Sequence, residues 1–343
     1  MNIIGIDLAK NIFHVCVMSS SGRVLKRARL SRKNLSDFVF KQGNSIIAME
    51  ACGGSNYWAR YFHKSGYDVR IMSAKFVKPF VKSNKNDVVD AEAICEAALR
   101  PRMRFVSPRS EEQQDIQNLH RIRERLVKNR TALSNEIRGL LLEYGITVPK
   151  GIGHVRKRII SLIEENGETK SSLWKETFLE LYHEFSELDQ RVEHYKKRLE
   201  AIAQSEERCK KLLKIPGVGV LTATAIIAAV GNPRDFNNAR QFSAWLGLVP
   251  KQNSTGGKDN LGKISKRGNK YIRKLLVQGA HTCAVAAERK NKQDVTSQWL
   301  FKLARRRGVN KAVVALANKT ARRIWIVLNG NDFKLPEQLM TVA

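Results

Sequence analysis

Residues 2–30, NIIGIDLAKNIFHVCVMSSSGRVLKRARL, decide the reading of the first third of the chain. The runs IIGIDLA, FHVCVMS and RVLKRARL read as three successive strands, and SSSG between the last two supplies a turn. Working outward, Asn34 to Lys41 suits a helix, SIIAME (45–50) a fourth strand, Tyr57 to Lys64 a helix and YDVRIMS (67–73) a fifth strand, with helices to follow.

Three antiparallel strands followed by alternating helices and parallel strands predict an α/β domain of ribonuclease H or RuvC-like type, assigned to residues 1–108. A helical, coiled-coil arm is expected over 109–209. Its first seam is Ile116, Leu119, Leu126, Leu133, Ile137 and Leu140, interrupted by Arg123 and Arg130. Its second is Phe178, Leu181, Phe185, Leu188, Val192, Tyr195, Leu199 and Ile202, alternating spacings of three and four. The two seams pack on each other or on a partner chain; the spacing leaves both open. A mainly α C-terminal domain is assigned to 210–343, with a core from about Lys210 to Ala287 and a basic helical tail to Leu328.

The 343 residues carry 61 Lys or Arg against 32 acidic residues, a net charge of +29, which steers polyanions toward the surface. From Lys251 to Arg323 there are 19 basic and three acidic residues, so more than half of the excess lies in about a fifth of the chain. No apolar run is long enough to cross a membrane and no signal-type segment opens the chain, so a cytoplasmic protein is expected. Cys16, Cys52, Cys95, Cys209 and Cys283 lack zinc-ligand spacing and are read as buried small hydrophobes. Aromatic residues are only 7% of the chain, so platforms for stacking single strands are not prominent.

Four acidic residues stand out. Asp7 ends an apolar strand, where a charge is costly unless a partner or metal compensates it. Glu50 ends SIIAME and is followed by Ala51, Cys52, Gly53 and Gly54, small residues that leave room for a ligand. Asp87 and Asp90 in KNDVVDAEAI stand three apart at a helix start, on one face and favoured by the helix dipole. Taken alone, Asp87 is also a good N-cap. Glu92 faces elsewhere on that helix, and Glu96 is left out of the set. Converging carboxylates repel unless a cation holds them ionised; hard oxygen donors suit Mg²⁺, and a pair of such ions can clamp the entering and leaving oxygens of a phosphoryl transfer.

The stretch IPGVGVLTATAIIAAVG (215–231) looks like a helix-hairpin-helix element, with Gly217 and Gly219 allowing backbone to approach a phosphate; a plain helix–helix turn is the other reading. Downstream, a Ser-Thr-Gly-Gly loop (254–257) follows an apolar segment and precedes a basic helix. Lys258, Lys263, Lys266, Arg267 and Arg273 can neutralise a phosphodiester there. Composition alone favours a polar turn over a nucleophilic serine.

GIDLAK, AMEACGGS and KNDVVDAEAI resemble the N-terminal domain of the DEDD insertion-sequence transposases, and the segment from IPGVG to YIRKLL is similar to their second domain. The resemblance implies a fold like that of Holliday-junction resolvases, Mg²⁺ held by Asp7, Glu50, Asp87 and Asp90, and a serine that attacks DNA to form a phosphoserine link. Carried over, that serine is Ser254. Many relatives place Ser directly before Gly, where this chain has Thr255, so Thr255 is the alternative and Ser265 a remote one. The resemblance also implies donor and target DNA as partners and a structured guide RNA. A homodimer or homotetramer, and association with the nucleoid, are further expectations. No ATP-binding GxxxxGK(S/T) loop is present. The competing readings are a structure-specific, junction-type endonuclease that uses water, and a non-catalytic nucleic-acid-binding protein.

Overall fold

The computed structural model describes residues 1–81, 87–255, 258 and 260–331, with the backbone alone for Asp87 and Val88. The chain divides into two compact units, Met1–Glu111 with Ala229–Asn237, and Glu112–Ala228 with Asn238–Ala343.

The first unit is built on strands β1 (Asn2–Asp7), β2 (Ile12–Met18), β3 (Val24–Ser31), β4 (Ser45–Glu50) and β5 (Asp68–Met72), with helices α1 (Leu35–Phe40), α2 (Ser55–Lys64), α3 (Ala74–Val77) and α4 (Asp87–Ala98). A two-residue strand, β6 (Phe105–Val106), completes a six-stranded sheet in the order β3-β2-β1-β4-β5-β6. β1, β2 and β3 pair antiparallel, β1, β4 and β5 parallel, and β6 returns antiparallel to β5. The order of strands and helices read from the sequence is therefore present. β6 was not foreseen, since two residues are too few to carry a periodic signal.

Alternation along the strands sorts side chains between two layers. Ile4, Ile6, Phe13, Val15, Ile47 and Met49 pack with Leu35 of α1 and Trp58 and Phe62 of α2. Ile3, Cys16, Ile46 and Ala48 pack with Ala91, Ile94, Cys95 and Ala98 of α4. Each fully buried Ile or Phe of this kind contributes about 1.5–3 kcal/mol. At the outer edge, β3 presents exposed Lys26, Arg27 and Arg29, charges that discourage pairing with another sheet.

The second unit begins with a 33-residue helix, α5 (Glu111–Glu143), then α6 (Ile152–Asn166) and α7 (Ser172–Ser205). Leu126, Leu133, Ile137 and Leu141 of α5, Val155, Ile159 and Ile163 of α6, and Phe178, Phe185 and Val192 of α7 form one core. The two long seams thus meet within the chain, with α6, absent from the sequence reading, as a third wall. Both seams drift at their ends. Leu140 is 40% exposed while Leu141 is buried, and Ala203 takes the buried place expected of Ile202. A straight helix turns about 20° per heptad away from a 3.5-residue repeat, so over the more than three heptads of α7 the stripe moves on by one residue. Arg130, which broke the first seam, pairs with Asp189 of α7, and Arg156 of α6 donates to the same carboxylate at 2.6 Å. Burial works against ionisation of Asp189, but these two guanidiniums hold its pKa below the ordinary value.

The remainder of this unit comprises α8 (Glu207–Leu213), α9 (Val220–Ala229), α10 (Ala239–Trp245), a hairpin of β7 (Pro250–Gln252) and β8 (Leu261–Ile264), then α11 (Lys270–Arg289), α12 (Val295–Arg307) and α13 (Val309–Leu328). α10, α11 and α12 all pack on α13. Cys16, Cys95 and Cys209 are buried as expected, whereas Cys52 is exposed and Cys283 half-buried. Cys52 lies on the loop after β4.

Candidate active site

Strand alternation fixes where the acids of the first unit point. Ile3 belongs to the α4 side of the sheet and Gly5 touches α4, so Asp7, two positions further along β1, shares that face. Ile46 and Ala48 place Glu50 on the same face of β4. Ile6 pairs with Met49 in parallel register, so Asp7 and Glu50 occupy neighbouring positions on strands that lie about 4.8 Å apart. Both residues are half-buried. The thiol of Cys52 senses the pair: burial first, then the charges of Glu50 and Asp7, push its pKa up to about 11. Beyond Glu50 the loop is open, with no atom within 4 Å of a Cβ placed on Gly53 or Gly54, and Gly54 adopts φ +89° as it leads into α2.

α4 crosses β1 at Gly5. A Cβ there would sit 2.5 Å from the Ala91 carbonyl oxygen and 2.6 Å from Cys95 Sγ, and the Gly5 amide donates to that sulfur at 3.1 Å. Only glycine lets the helix lie so close. Asp90, half-buried, immediately precedes Ala91, and the backbone of Asp87 stands one turn before it. Glu92 is engaged elsewhere, in an ion pair with Arg27 of β3. Asp7 and Glu50 are thus brought together, and Asp90 sits on the helix packed over their sheet. The side chain of Asp87, with Lys85 and Asn86 of its motif, lies outside the described residues. Among the described residues, no three His, Cys, Asp and Glu side chains gather as a metal-holding group. Two neighbouring carboxylates beside an open glycine loop are nonetheless hard oxygen donors of the kind that suits Mg²⁺.

In the second unit, Ser254 and Thr255 lie in the connection of the β7–β8 hairpin, an element the sequence reading took for a plain loop. Ser254 is exposed, and Gln252 Nε2 donates to its Oγ at 3.0 Å. Thr255 is bridged to Lys258, whose amide donates to the Thr255 carbonyl at 3.1 Å. Gly256 and Gly257 lie outside the described residues. Ser265 is tied at the foot of β8, its amide donating to the Val249 carbonyl at 2.8 Å. Lys258, Lys263, Lys266 and Arg267 are exposed. Arg273 is half-buried and donates through one nitrogen to the carbonyls of Leu246 (3.0 Å) and Arg267 (3.2 Å), which pins the turn before α11. Gly217 has φ +84°, and its carbonyl would lie 1.9 Å from a Cβ on Gly279 of α11; its close approach is to that helix. Gly219 has open space around its Cα.

A family described as IS116/IS110/IS902 transposases matches residues 209–295, and the DEDD transposases of IS110 type match residues 4–146. The chain is 44% identical to the transposase for insertion sequence element IS1111A of Coxiella burnetii, over 97% of this chain and 91% of that one. It is 44% identical to a probable family 20 transposase of Pseudomonas aeruginosa, over 95% and 96% of the two chains. The transposase for IS1328 of Yersinia enterocolitica is 41% identical over the same shares. The chain belongs to the IS110/IS116 transposase family. It is therefore an enzyme of DNA strand transfer, and no helix among its described residues is long and apolar enough to cross a membrane.

Two features of the transposase escaped the sequence reading. His14 of β2 pairs across the strands with Asp7 and shares its face of the sheet. The clue was the alternation in FHVCVMS, but using it required the hairpin register. The second is a buried polar junction in the helical unit, where His120 of α5 meets Thr224 Oγ1 of α9 at 3.0 Å and Tyr271 OH of α11 at 3.1 Å. Burial and then Arg123 lower the His120 pKa to about 4, so the ring is neutral and one nitrogen donates while the other accepts. Gln113, about two turns earlier, donates to the Ile227 carbonyl at 2.8 Å. No periodicity marks these positions, because each is a polar residue on a face that packs.

Proposed function

We propose that this transposase cleaves and rejoins DNA with Mg²⁺-bound carboxylates and a serine nucleophile, on a first unit of ribonuclease H or RuvC-like type. The observation that carries the reading is the neighbouring placement of Asp7 and Glu50 on one face at the ends of parallel strands. The sheet order β3-β2-β1-β4-β5, three antiparallel strands and then two parallel ones, supports the fold assignment.

Asp7, Glu50, Asp87 and Asp90 would hold the ion, which supplies charge neutralisation at the scissile phosphate. Ser254 Oγ attacks the phosphorus, forming the O–P bond as the bond to the 3′ oxygen breaks; the serine proton is lost and the 3′ oxygen leaves as a hydroxyl. The 3′ hydroxyl of one strand then attacks the phosphoserine of another and restores the serine hydroxyl. The linkage conserves the energy of the phosphodiester, so no nucleotide hydrolysis is required. Gln252 holds Ser254 Oγ as a donor, leaving its lone pairs partly occupied until substrate rearranges the contact. Lys258, Lys263, Lys266 and Arg267 neutralise the attacked strand, the helix-hairpin-helix turn of Gly217 and Gly219 meets backbone phosphates on the open side of Gly219 while Gly217 packs on α11, and Arg273 joins them through its remaining nitrogens. A structured guide RNA carries the choice of donor and target, and the active species is a homodimer or homotetramer.

The test is adduct trapping on a nicked or suicide DNA substrate. A phosphoserine mapped to Ser254 by mass spectrometry is expected, abolished in Ser254→Ala and retained in Thr255→Ala. An adduct on Thr255 would move the nucleophile by one residue. Cleavage that persists in Ser254→Ala and Thr255→Ala without any adduct would establish the water-using endonuclease instead.

A further inference from the structure

The basic tail of the second unit lines an open hollow of about 690 Å³ between the start of α10 and one face of α13. Lys319, Arg322, Arg323 and Ile326 stand at i, i+3, i+4 and i+7 on α13, and Trp325 and Arg240 complete the wall. Among the described residues, no acidic side chain lines it. The cations are held in place: Lys319 Nζ lies 4.8 Å from the ring centroid of Trp299, and Arg323 donates to Thr296 Oγ1 at 3.3 Å. Arg323 is also near Asp294, which neutralises part of its charge. Arg322 Nε is buried with no hydrogen-bond partner among the described residues, so the protein leaves one donor of this guanidinium unmet. Burial, and then the neighbouring Arg323 and Arg322, keep the Lys319 amine below its ordinary pKa.

Concave shape, clustered cations and a mixed apolar wall select an anion that also carries a flat apolar part. We propose that this hollow binds one unpaired nucleotide of a single-stranded nucleic acid, its phosphate on Arg322 and Lys319 and its base against Trp325. A duplex keeps its base faces within the stack and cannot insert one here, whereas a single strand can. The inference rests on the family's acting on nucleic acid and not on the roles given to Ser254 or the carboxylates.

The test measures binding of the full chain in EDTA, so that cleavage does not enter. Fluorescence anisotropy with labelled eight-residue oligothymidylate, oligouridylate and a mixed-sequence duplex would follow wild type, Lys319→Gln/Arg322→Gln and Trp325→Leu. The double variant is expected to bind single strands at least 10-fold more weakly, with the salt slope reduced by about 1.4, and to bind duplex within twofold of wild type. Trp325→Leu should weaken single strands about fivefold at unchanged salt slope, and Trp325→Phe should restore them. Comparing the two oligomers assigns the natural strand as DNA, RNA or either. An equal loss on duplex, or no loss on single strands, overturns the proposal. Wild-type protein cross-linked to an oligomer carrying 5-iodouracil gives a test without variants: adducts on Trp325 or its neighbours in the hollow support the site, and adducts confined elsewhere overturn it.

Discussion

The two units hold their candidate reactive groups in opposite ways. Asp7 and Glu50 end strands whose register is fixed by hydrogen bonds on both sides, β2 and β4 for Asp7, β1 and β5 for Glu50. Ser254 and Thr255 stand in the exposed connection of a two-stranded hairpin, where Gln252 donates to Ser254 and Thr255 is bridged to Lys258. A metal-binding set needs atoms held to a fraction of an ångström, which a buried sheet supplies; a nucleophile that forms and breaks a covalent link needs room to move.

The sharpest break of that contrast is Asp7→Asn, an isosteric change at a fixed position. Strand cleavage should fall by on the order of 1,000-fold while thermal melting stays within a few degrees, read by a gel assay and differential scanning calorimetry. A loss below 10-fold would remove Asp7 from the chemistry.

Gly5→Val probes the rigidity on which the carboxylates depend. Its side chain would overlap the Ala91 carbonyl and Cys95, so the first unit should lose about 3 kcal/mol or more by urea unfolding, and cleavage should fall with it. The matching change in the hairpin, Gly262→Ala, meets nothing closer than 3.8 Å and should alter stability by less than about 0.5 kcal/mol.

His120 gives a pH signature confined to the helical unit. Its folded pKa of about 4 lies below the unfolded value near 6.5, so the unfolded chain binds the extra proton. The stabilisation is complete above pH 6.5 and is lost as pH falls toward 4, by at most about 3 kcal/mol. Urea midpoints at pH 7.5 and 5 should separate for wild type and converge for His120→Gln. A parallel pH dependence in that variant would assign the effect to other groups.

The smallest expected difference compares adjacent leucines in α5. Leu141→Ala should cost about 2–4 kcal/mol and Leu140→Ala less than about 1 kcal/mol, because only Leu141 is buried. Equal costs would restore the seam read from spacing and place Leu140 at an interface between copies.

The alternation of apolar runs in residues 2–73 was enough to order the strands and helices of the first unit, since a sheet buried on both faces leaves a strong local pattern. Asp7 and Glu50 were legible as charges at the ends of such runs. Their common face was not, because parity becomes a shared direction only when the register between β1 and β4 is known. The hairpin around Ser254 and the helix α6 escaped because a three-residue strand and a partly polar helix give weak periodicity. His120, Thr224 and Tyr271 were illegible for a different reason: three distant polar residues reveal a junction only once packing excludes water from it.

Sequence alone determined the acids that end the apolar runs, the succession of elements in the first unit and the concentration of positive charge in the tail, all of which depend on residues near one another in the chain. Tertiary structure alone decided that Gly5 admits α4 against β1, that Gly217 approaches Gly279, and that Lys319, Arg322 and Trp325 line one hollow with Arg240 of α10. Those are contacts between segments far apart in sequence, set by the fit of whole surfaces, and no local pattern encodes them.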